Sequence, residues 1–138
     1  ENFLVMNGDI LTDLNFEVLY KNHVIEKNIF TISAFNREEK IEYGVLQTEL
    51  EKLTGFKEKP SYSFVVSMGI YIVNRVVLNY IPANKPFGFD DLMLYLLKIN
   101  NPAHVKVFDG YWLDIGRPDD YVKAIEEFNI IKNDIIKL

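Results

Sequence analysis

The chain has 138 residues, of which 49% are hydrophobic and 14% aromatic, so we expect one packed domain over residues 1–138 rather than a disordered segment. Its formal net charge is -5 and its Lys and Arg residues form no cluster, so we predict neither a nucleic acid nor a membrane surface as a partner. The absence of cysteine excludes disulfides, thiolate nucleophiles and cysteine-based zinc sites, and it fits a cytoplasmic protein.

The first part of the chain predicts a strand, a helix and a second strand. Residues 3–7 form an apolar run that predicts a strand buried on both faces. Thr12 or Asp13 can cap the helix that follows. A second apolar strand, residues 28–35, completes an order typical of a parallel βαβ unit, and the chain as a whole indicates an α/β fold with a mixed sheet.

The rest of the chain predicts further short elements. They are, in order, a hairpin of two strands (43–47 and 53–57), a strand (64–73), a short helix capped by Asn74, a helix (90–99), a strand (104–108), an apolar run (111–113) and a last helix that begins at Pro118.

Two aspartates follow predicted strands and stand next to glycines. Asp9 ends Asn7-Gly8-Asp9, and Asp114 follows the apolar run 111–113. Ligands of open α/β sheets bind at the carboxyl ends of strands, so both side chains can face a ligand. Two carboxylates that meet there repel each other unless a cation lies between them, and Mg²⁺ prefers one or two carboxylates completed by water and phosphates. The alternative is that both residues only form turns.

A second group of candidates lies between the aspartates in the sequence. Glu58 and Lys59 precede Pro60 at a predicted strand end, where a Glu can accept hydrogen bonds from sugar hydroxyls and a Lys can pair with a phosphate. Gly44 and Gly69 occur in predicted strands, where glycine marks a bulge or the close approach of a ligand. An exposed charged pair and bulges without a ligand are the alternatives.

Five motifs occur in order along nearly the whole chain: Asn7-Gly8-Asp9, Tyr43-Gly44-Val45, Glu58-Lys59-Pro60, Met68-Gly69-Ile70-Tyr71 and the segment from Trp112 to Pro118. Together they resemble the sugar-phosphate nucleotidyltransferase family, and the last motif looks most like the mannose-1-phosphate and heptose-1-phosphate guanylyltransferases. The resemblance implies a Rossmann-like (GT-A-like) mixed sheet flanked by helices. It also implies an enzyme that converts a nucleoside triphosphate and a sugar-1-phosphate into an NDP-sugar and pyrophosphate.

The resemblance further implies a role for each candidate residue. Asp9 and Asp114 would be catalytic residues that bind Mg²⁺. Glu58 would hold sugar hydroxyls, and Lys59, a third catalytic residue, would bind the sugar phosphate. Gly44 and Gly69 would offer backbone groups to the sugar. Homo-oligomerisation is a possible further association.

One departure from the family pattern limits these expectations. Family members begin with a Gly-rich loop that contains Gly-Thr-Arg, followed by a Pro-Lys-Pro segment, and nothing in this chain matches either motif. We therefore expect the C-terminal part of a nucleotidyltransferase domain, truncated at its N-terminus and inactive by itself. Two alternatives are a non-catalytic regulatory or assembly relative and a metal-dependent glycosyltransferase of similar architecture.

Overall fold

A four-stranded mixed sheet and its flanking helices hold most of the buried residues that the structure describes. The computed structural model describes residues 1–116 and 118–135. Its elements are β1 (Asn2–Met6), β2 (Ile10–Thr12), α1 (Phe16–Ile25), β3 (Phe30–Lys40), β4 (Val45–Glu49), β5 (Lys52–Lys57), β6 (Ser61–Asn74), a 3₁₀ helix (Arg75–Tyr80), α2 (Phe89–Lys98), β7 (His104–Phe108), β8 (Trp112–Asp114) and α3 (Pro118–Ile135).

The four strands of the main sheet follow the order β1-β6-β3-β7. Strand β1 runs antiparallel to β6, with Met6 opposite Ile70, and β3 runs parallel to β7, with Phe35 opposite Phe108. Two further ribbons have two strands each, β2 with β8 and β4 with β5. The prediction of an α/β fold with a mixed sheet is confirmed.

The chain divides into two compact units. The first contains residues 1–35 and the chain from residue 67 onward, and the second contains Asn36–Val66. The two ribbons belong to different units, because β2 and β8 lie in the first and the β4–β5 hairpin lies in the second. The expectation of one domain over residues 1–138 stays a prediction.

Both buried clusters lie in the first unit. Alternate residues of β6 point to opposite faces of the sheet, so Tyr71 and Val73 join one cluster and Ile70 and Ile72 the other. The first cluster also contains residues of α2, and the second contains Leu19 of α1. The amphipathic helices therefore cover the two faces of one short stretch of sheet.

Two predictions about the first elements are wrong. Strand β1 is not buried on both faces, since Phe3, Leu4 and Met6 are each 37 to 40% exposed. Among the described residues of β1, Val5 alone is packed against a buried cluster, and the strand lies at the end of the sheet, away from the residues that form the cores. Helix α1 is capped neither by Thr12 nor by Asp13, because Asn15 accepts the hydrogen bond from the Val18 amide at 2.9 Å.

Two predictions about helix starts agree with the structure. Asn74 caps the 3₁₀ helix by accepting a hydrogen bond from the Val76 amide at 2.9 Å. Helix α3 begins at Pro118, with Asp119 and Asp120 in its first turn. Within the described residues, no helix is long and apolar enough to cross a membrane.

Candidate active site

A short antiparallel ribbon brings the two candidate aspartates side by side. Strands β2 and β8 pair with Ile10 opposite Asp114 and Thr12 opposite Trp112. Asp9 directly precedes β2, and its carbonyl oxygen accepts a hydrogen bond from the Ile115 amide at 2.8 Å. The two residues are 105 positions apart in the sequence, yet backbone bonds place them at one end of the same ribbon.

The carboxylates converge on the place where Gly116 has no side chain. A Cβ atom added to Gly116 would lie 2.9 Å from Asp9 Oδ2 and 3.1 Å from Asp114 Oδ1. Asp114 Oδ1 also accepts a hydrogen bond from the Gly116 amide at 2.9 Å. Asp9 is half-buried and Asp114 is exposed, so the pair is open to an incoming ligand.

This arrangement fits a Mg²⁺ ion. Two carboxylate oxygens that are both about 3 Å from one point are at most about 6 Å apart, and because Mg²⁺ binds oxygen at about 2.0–2.1 Å, both can reach one ion once they approach to within about 4 Å of each other. The described residues contain no group of three or more His, Cys, Asp or Glu side chains that could hold a metal. A site with two carboxylates leaves several coordination positions for water and phosphate oxygens, as Mg²⁺ prefers.

Gly69 lies beside the turn that leads to Asp9. Its φ angle is +72°, a conformation that residues with a Cβ rarely adopt, and its carbonyl oxygen accepts a hydrogen bond from the Asn7 amide at 2.9 Å. A Cβ on Gly69 would lie 2.7 Å from Asn7 Nδ2 and 3.1 Å from Ile10 Cδ1. The glycine therefore permits close packing of β6 against the Asn7-Gly8-Asp9 turn.

Large aromatic residues anchor strand β8. The Trp112 indole donates a hydrogen bond to the Met68 carbonyl at 3.2 Å, and its ring lies 5.4 Å from the ring of Phe35. The Tyr111 hydroxyl donates to Glu127 Oε2 at 3.1 Å. Burial, followed by the hydrogen bond to the Glu127 carboxylate, raises the pKa of Tyr111 to about 12, so the phenol keeps its proton near neutral pH.

The other candidate residues lie in the second unit. Strand β5 ends at Lys57, so Glu58 and Lys59 follow it, and Lys59 has a positive φ of 41°. A Cβ on Gly44 would lie 3.2 Å from Glu58 Oε2 and 2.7 Å from the Phe56 ring. Gly44 and Glu58 are thus close neighbours, although Gly44 precedes β4 and is not inside a strand as predicted.

Two features of the site were not assigned from the sequence. Gly116 was part of a motif but received no role, and the Asp-x-Gly spacing was the available signal for a glycine that makes room for a carboxylate. Thr12 and Asp13 were interpreted as helix caps, yet both bond to the backbone of Tyr111. No local pattern indicates that contact, since it joins residues 98 and 99 positions apart.

Comparison with known proteins gives the family. The family model described as "Nucleotidyl transferase" matches residues 1–129. The chain belongs to this nucleotidyl transferase family. The predicted resemblance to sugar-phosphate nucleotidyltransferases is confirmed by sugar-1-phosphate guanylyltransferase relatives.

Curated relatives of this chain are longer proteins. The D-glycero-alpha-D-manno-heptose 1-phosphate guanylyltransferase of Aneurinibacillus thermoaerophilus is 29% identical over 128 residues, which cover 92% of this chain and 56% of the relative. A probable mannose-1-phosphate guanylyltransferase of Oryza sativa subsp. japonica is 31% identical over 128 residues, which cover 89% of this chain and 35% of the relative. The chain thus spans between about a third and just over half of these relatives.

Solved structures support the fold. The crystal structure of HddC from Yersinia pseudotuberculosis superposes on this chain with a TM-score of 0.62 at 25% sequence identity. The superposition covers 92% of this chain and 55% of the HddC chain. A second structure of HddC, complexed with GMP-PN, gives a TM-score of 0.63 with the same coverage. The similarity confirms the Rossmann-like α/β fold of the nucleotidyl transferases.

Proposed function

We propose that the protein carrying this chain is a sugar-1-phosphate nucleotidyltransferase and that the chain provides the metal-binding and sugar-phosphate-binding part of its site. The observation that carries the proposal is the convergence of Asp9 Oδ2 and Asp114 Oδ1 beside Gly116. Membership of the nucleotidyl transferase family and relatives named as guanylyltransferases of heptose and mannose 1-phosphates support it. The proposed product class, NDP-sugars, includes precursors of cell-surface polysaccharides, and the absence of cysteine keeps the cytoplasm as the proposed compartment.

In the proposed reaction, a phosphate oxygen of the sugar-1-phosphate attacks the α-phosphorus of the nucleoside triphosphate. The bond from the α-phosphorus to the bridging oxygen breaks, and pyrophosphate leaves with that oxygen. Bound Mg²⁺ supplies neutralisation of phosphate charge. Asp9 and Asp114 would hold the ion through carboxylate oxygens, and Lys59 would pair with the phosphate of the sugar substrate. The reaction needs positioned phosphates and no protein nucleophile.

Sugar recognition is proposed for the second unit. Glu58 can accept hydrogen bonds from two sugar hydroxyls, because an ionised carboxylate is an acceptor at both oxygens. Gly44 is packed against the Glu58 carboxylate and the Phe56 ring, and it has no side chain to block a ligand from the backbone. For Gly69, the amide is bonded to the Ser67 hydroxyl and the carbonyl to the Asn7 amide, so the second lone pair of the carbonyl is the backbone acceptor left for a sugar.

The test uses the full-length protein that carries this chain. Pyrophosphate release is measured with Mg²⁺ for a panel of nucleoside triphosphates, each combined with mannose-, glucose- and heptose-1-phosphates. We expect Asp114→Asn to lower kcat/KM by about a hundredfold or more, because metal-ion stabilisation of the transition state amounts to several kcal/mol. The exposed Asp109→Asn is the matched control and keeps wild-type turnover.

Two results would contradict the proposal. Wild-type turnover by Asp114→Asn would remove the metal-binding role of Asp114. A full-length protein that releases no pyrophosphate with any pair in the panel, while binding a sugar-1-phosphate, would instead indicate the non-catalytic relative.

A further inference from the structure

The ribbon that carries the two aspartates is too short to define its own register. Strands β2 and β8 have three residues each and form a sheet of their own, separate from the four-stranded sheet. A slip of one residue along a strand turns every side chain to the opposite face. Such a slip in β8 would move the Asp114 carboxylate away from Asp9, so some other contact has to fix the pairing.

Besides the Trp112 bond to Met68, hydrogen bonds at the far end of the ribbon supply such contacts. Asp13 Oδ1 accepts a hydrogen bond from the Tyr111 amide at 2.7 Å, and the Thr12 hydroxyl donates to the Tyr111 carbonyl at 2.7 Å. The Asp13 amide donates to the same carbonyl at 3.3 Å. Both backbone polar groups of Tyr111, the residue before β8, are therefore bound to the two residues where β2 ends.

The surroundings of these bonds hold them in place. Thr12 is buried, and its hydroxyl also accepts a hydrogen bond from the Leu14 amide at 3.2 Å. A Cβ on Gly110 would lie 2.8 Å from Asp13 Oδ1, so the glycine leaves room for the Asp13 carboxylate. The Tyr111 side chain is bound separately, through Glu127. A one-residue slip of β8 would break all of the bonds to Tyr111 together.

We propose that Thr12 and Asp13 form a register brace, defined as their three hydrogen bonds to the Tyr111 backbone, which keeps Asp114 beside Asp9. Asp13 is then a positioning residue for the metal site and not itself a ligand, because it follows Thr12 at the end of the ribbon opposite to Asp9 and Asp114. The role of the brace in the register rests on the hydrogen bonds alone. Its effect on the metal site rests in addition on the proposed function.

The variants distinguish the effect of the hydrogen-bond acceptor of Asp13 from the effect of its negative charge. Asp13→Ala removes the acceptor, Asp13→Asn keeps a carbonyl oxygen at the same place, and Asp109→Ala is the control in the loop before β8. Thr12→Val removes the other side-chain contact and serves as a second test if Asp13→Ala does not fold. Thr12→Ser is its conservative rescue, because the hydroxyl returns.

Hydrogen exchange measured by ¹H–¹⁵N NMR reads the register directly. The Ile115 amide bonds to the Asp9 carbonyl and reports the aspartate end of the ribbon, while the amides of residues 30–35 and 67–74, the parts of β3 and β6 that lie in the first unit, report its global stability. We expect Asp13→Ala to accelerate Ile115 exchange about tenfold or more beyond any change in those strands, as the loss of a hydrogen bond to a charged group predicts. Asp13→Asn and Asp109→Ala should stay close to wild type.

The affinity for Mn²⁺, measured from the paramagnetic broadening of the Ile10 and Gly116 amide signals, tests whether the brace affects the metal site. We expect a several-fold weaker affinity in Asp13→Ala and recovery in Asp13→Asn. Loss of Mn²⁺ binding in Asp13→Asn with intact Ile115 protection would make Asp13 a ligand and overturn the positioning role.

Two hydrogen-exchange results would contradict the register brace. A third result would support the brace while contradicting the proposed function. Unchanged Ile115 exchange in Asp13→Ala and Thr12→Val overturns the brace, and so does acceleration shared equally by β3 and β6. Local acceleration at Ile115 in a protein whose wild type does not bind Mn²⁺ supports the brace and removes the metal role proposed for Asp9 and Asp114.

Discussion

The two compact units hold their candidate site residues in different ways. In the first unit, Asp9 and Asp114 are fixed by backbone hydrogen bonds at the end of a ribbon, and the same unit contains both buried clusters. In the second unit, Gly44, Glu58 and Lys59 lie at the ends of a hairpin whose side chains are mostly exposed. Segments with few buried apolar side chains open at low free energy. We infer that the first unit gives the metal ligands a fixed geometry, while the second unit can adjust to a substrate.

The largest effect that tests this comparison is the loss of a core side chain in the first unit. Phe30 is 0% exposed, and its ring lies 5.7 Å from Tyr71 and 5.9 Å from Phe89. We expect Phe30→Ala to lower the free energy of unfolding by about 3–5 kcal/mol, measured by urea denaturation. Leu50→Ala, at the hairpin turn of the second unit where the side chain is 89% exposed, should change it by less than about 0.5 kcal/mol. Similar losses in both variants would contradict the comparison.

A smaller effect separates the two candidate glycines. Gly69→Ala places a Cβ on a backbone with φ of +72° and against Asn7, so we expect a loss of about 1–2 kcal/mol. Gly44→Ala meets the exposed Phe56 ring, which can move, and the loss should be below about 1 kcal/mol. Urea denaturation measures both. A larger loss for Gly44→Ala would show that the second unit is the more tightly constrained one.

Local sequence signals predicted most of the elements. Asn74 and Pro118 mark helix starts correctly, because a side-chain acceptor and a fixed φ act within one turn of the chain. The hairpin was also predictable, since two short strand-like segments are separated by a polar stretch, whereas the positive φ angles of its turn residues, Leu50 and Glu51, were not.

Contacts between distant segments were not predictable in the same way. Thr12 and Asp13 have the residue types of a helix cap, and only the tertiary structure shows that they bond to Tyr111 instead. The apolar run of β1 indicates a strand but does not show that the strand lies at the end of the sheet. Asp9 and Asp114 were predicted to converge from their motifs, whereas the vacant side-chain position of Gly116 between them required coordinates.

A buried histidine distinguishes the first unit further. Asn74 Nδ2 donates to Asn2 Oδ1 at 2.8 Å, and His23 Nε2 lies 3.2 Å from the same oxygen, so Nε2 carries the proton. His23 Nδ1 then accepts from the Thr31 hydroxyl at 2.8 Å. The neutral ring satisfies every partner in this network. A second proton on Nδ1 would force the Thr31 hydroxyl to turn, because two donors would face each other.

The smallest effect we predict is therefore a dependence of stability on pH that originates in the first unit. His23 is 1% exposed, and burial lowers its pKa below the ordinary value of 6.5, with the His104 charge acting in the same direction and Glu26 opposing both. The unfolded chain then takes up the proton first as the pH falls below 6.5, so the contribution of His23 to stability is complete above that pH and is lost on acidification.

The urea midpoint of the wild type should decrease between about pH 8 and pH 5.5, a range in which carboxylates stay ionised. His23→Gln should flatten that decrease even if it lowers stability at every pH. An equally steep decrease in His23→Gln would assign the pH dependence to another group and would remove His23 from the comparison between the units.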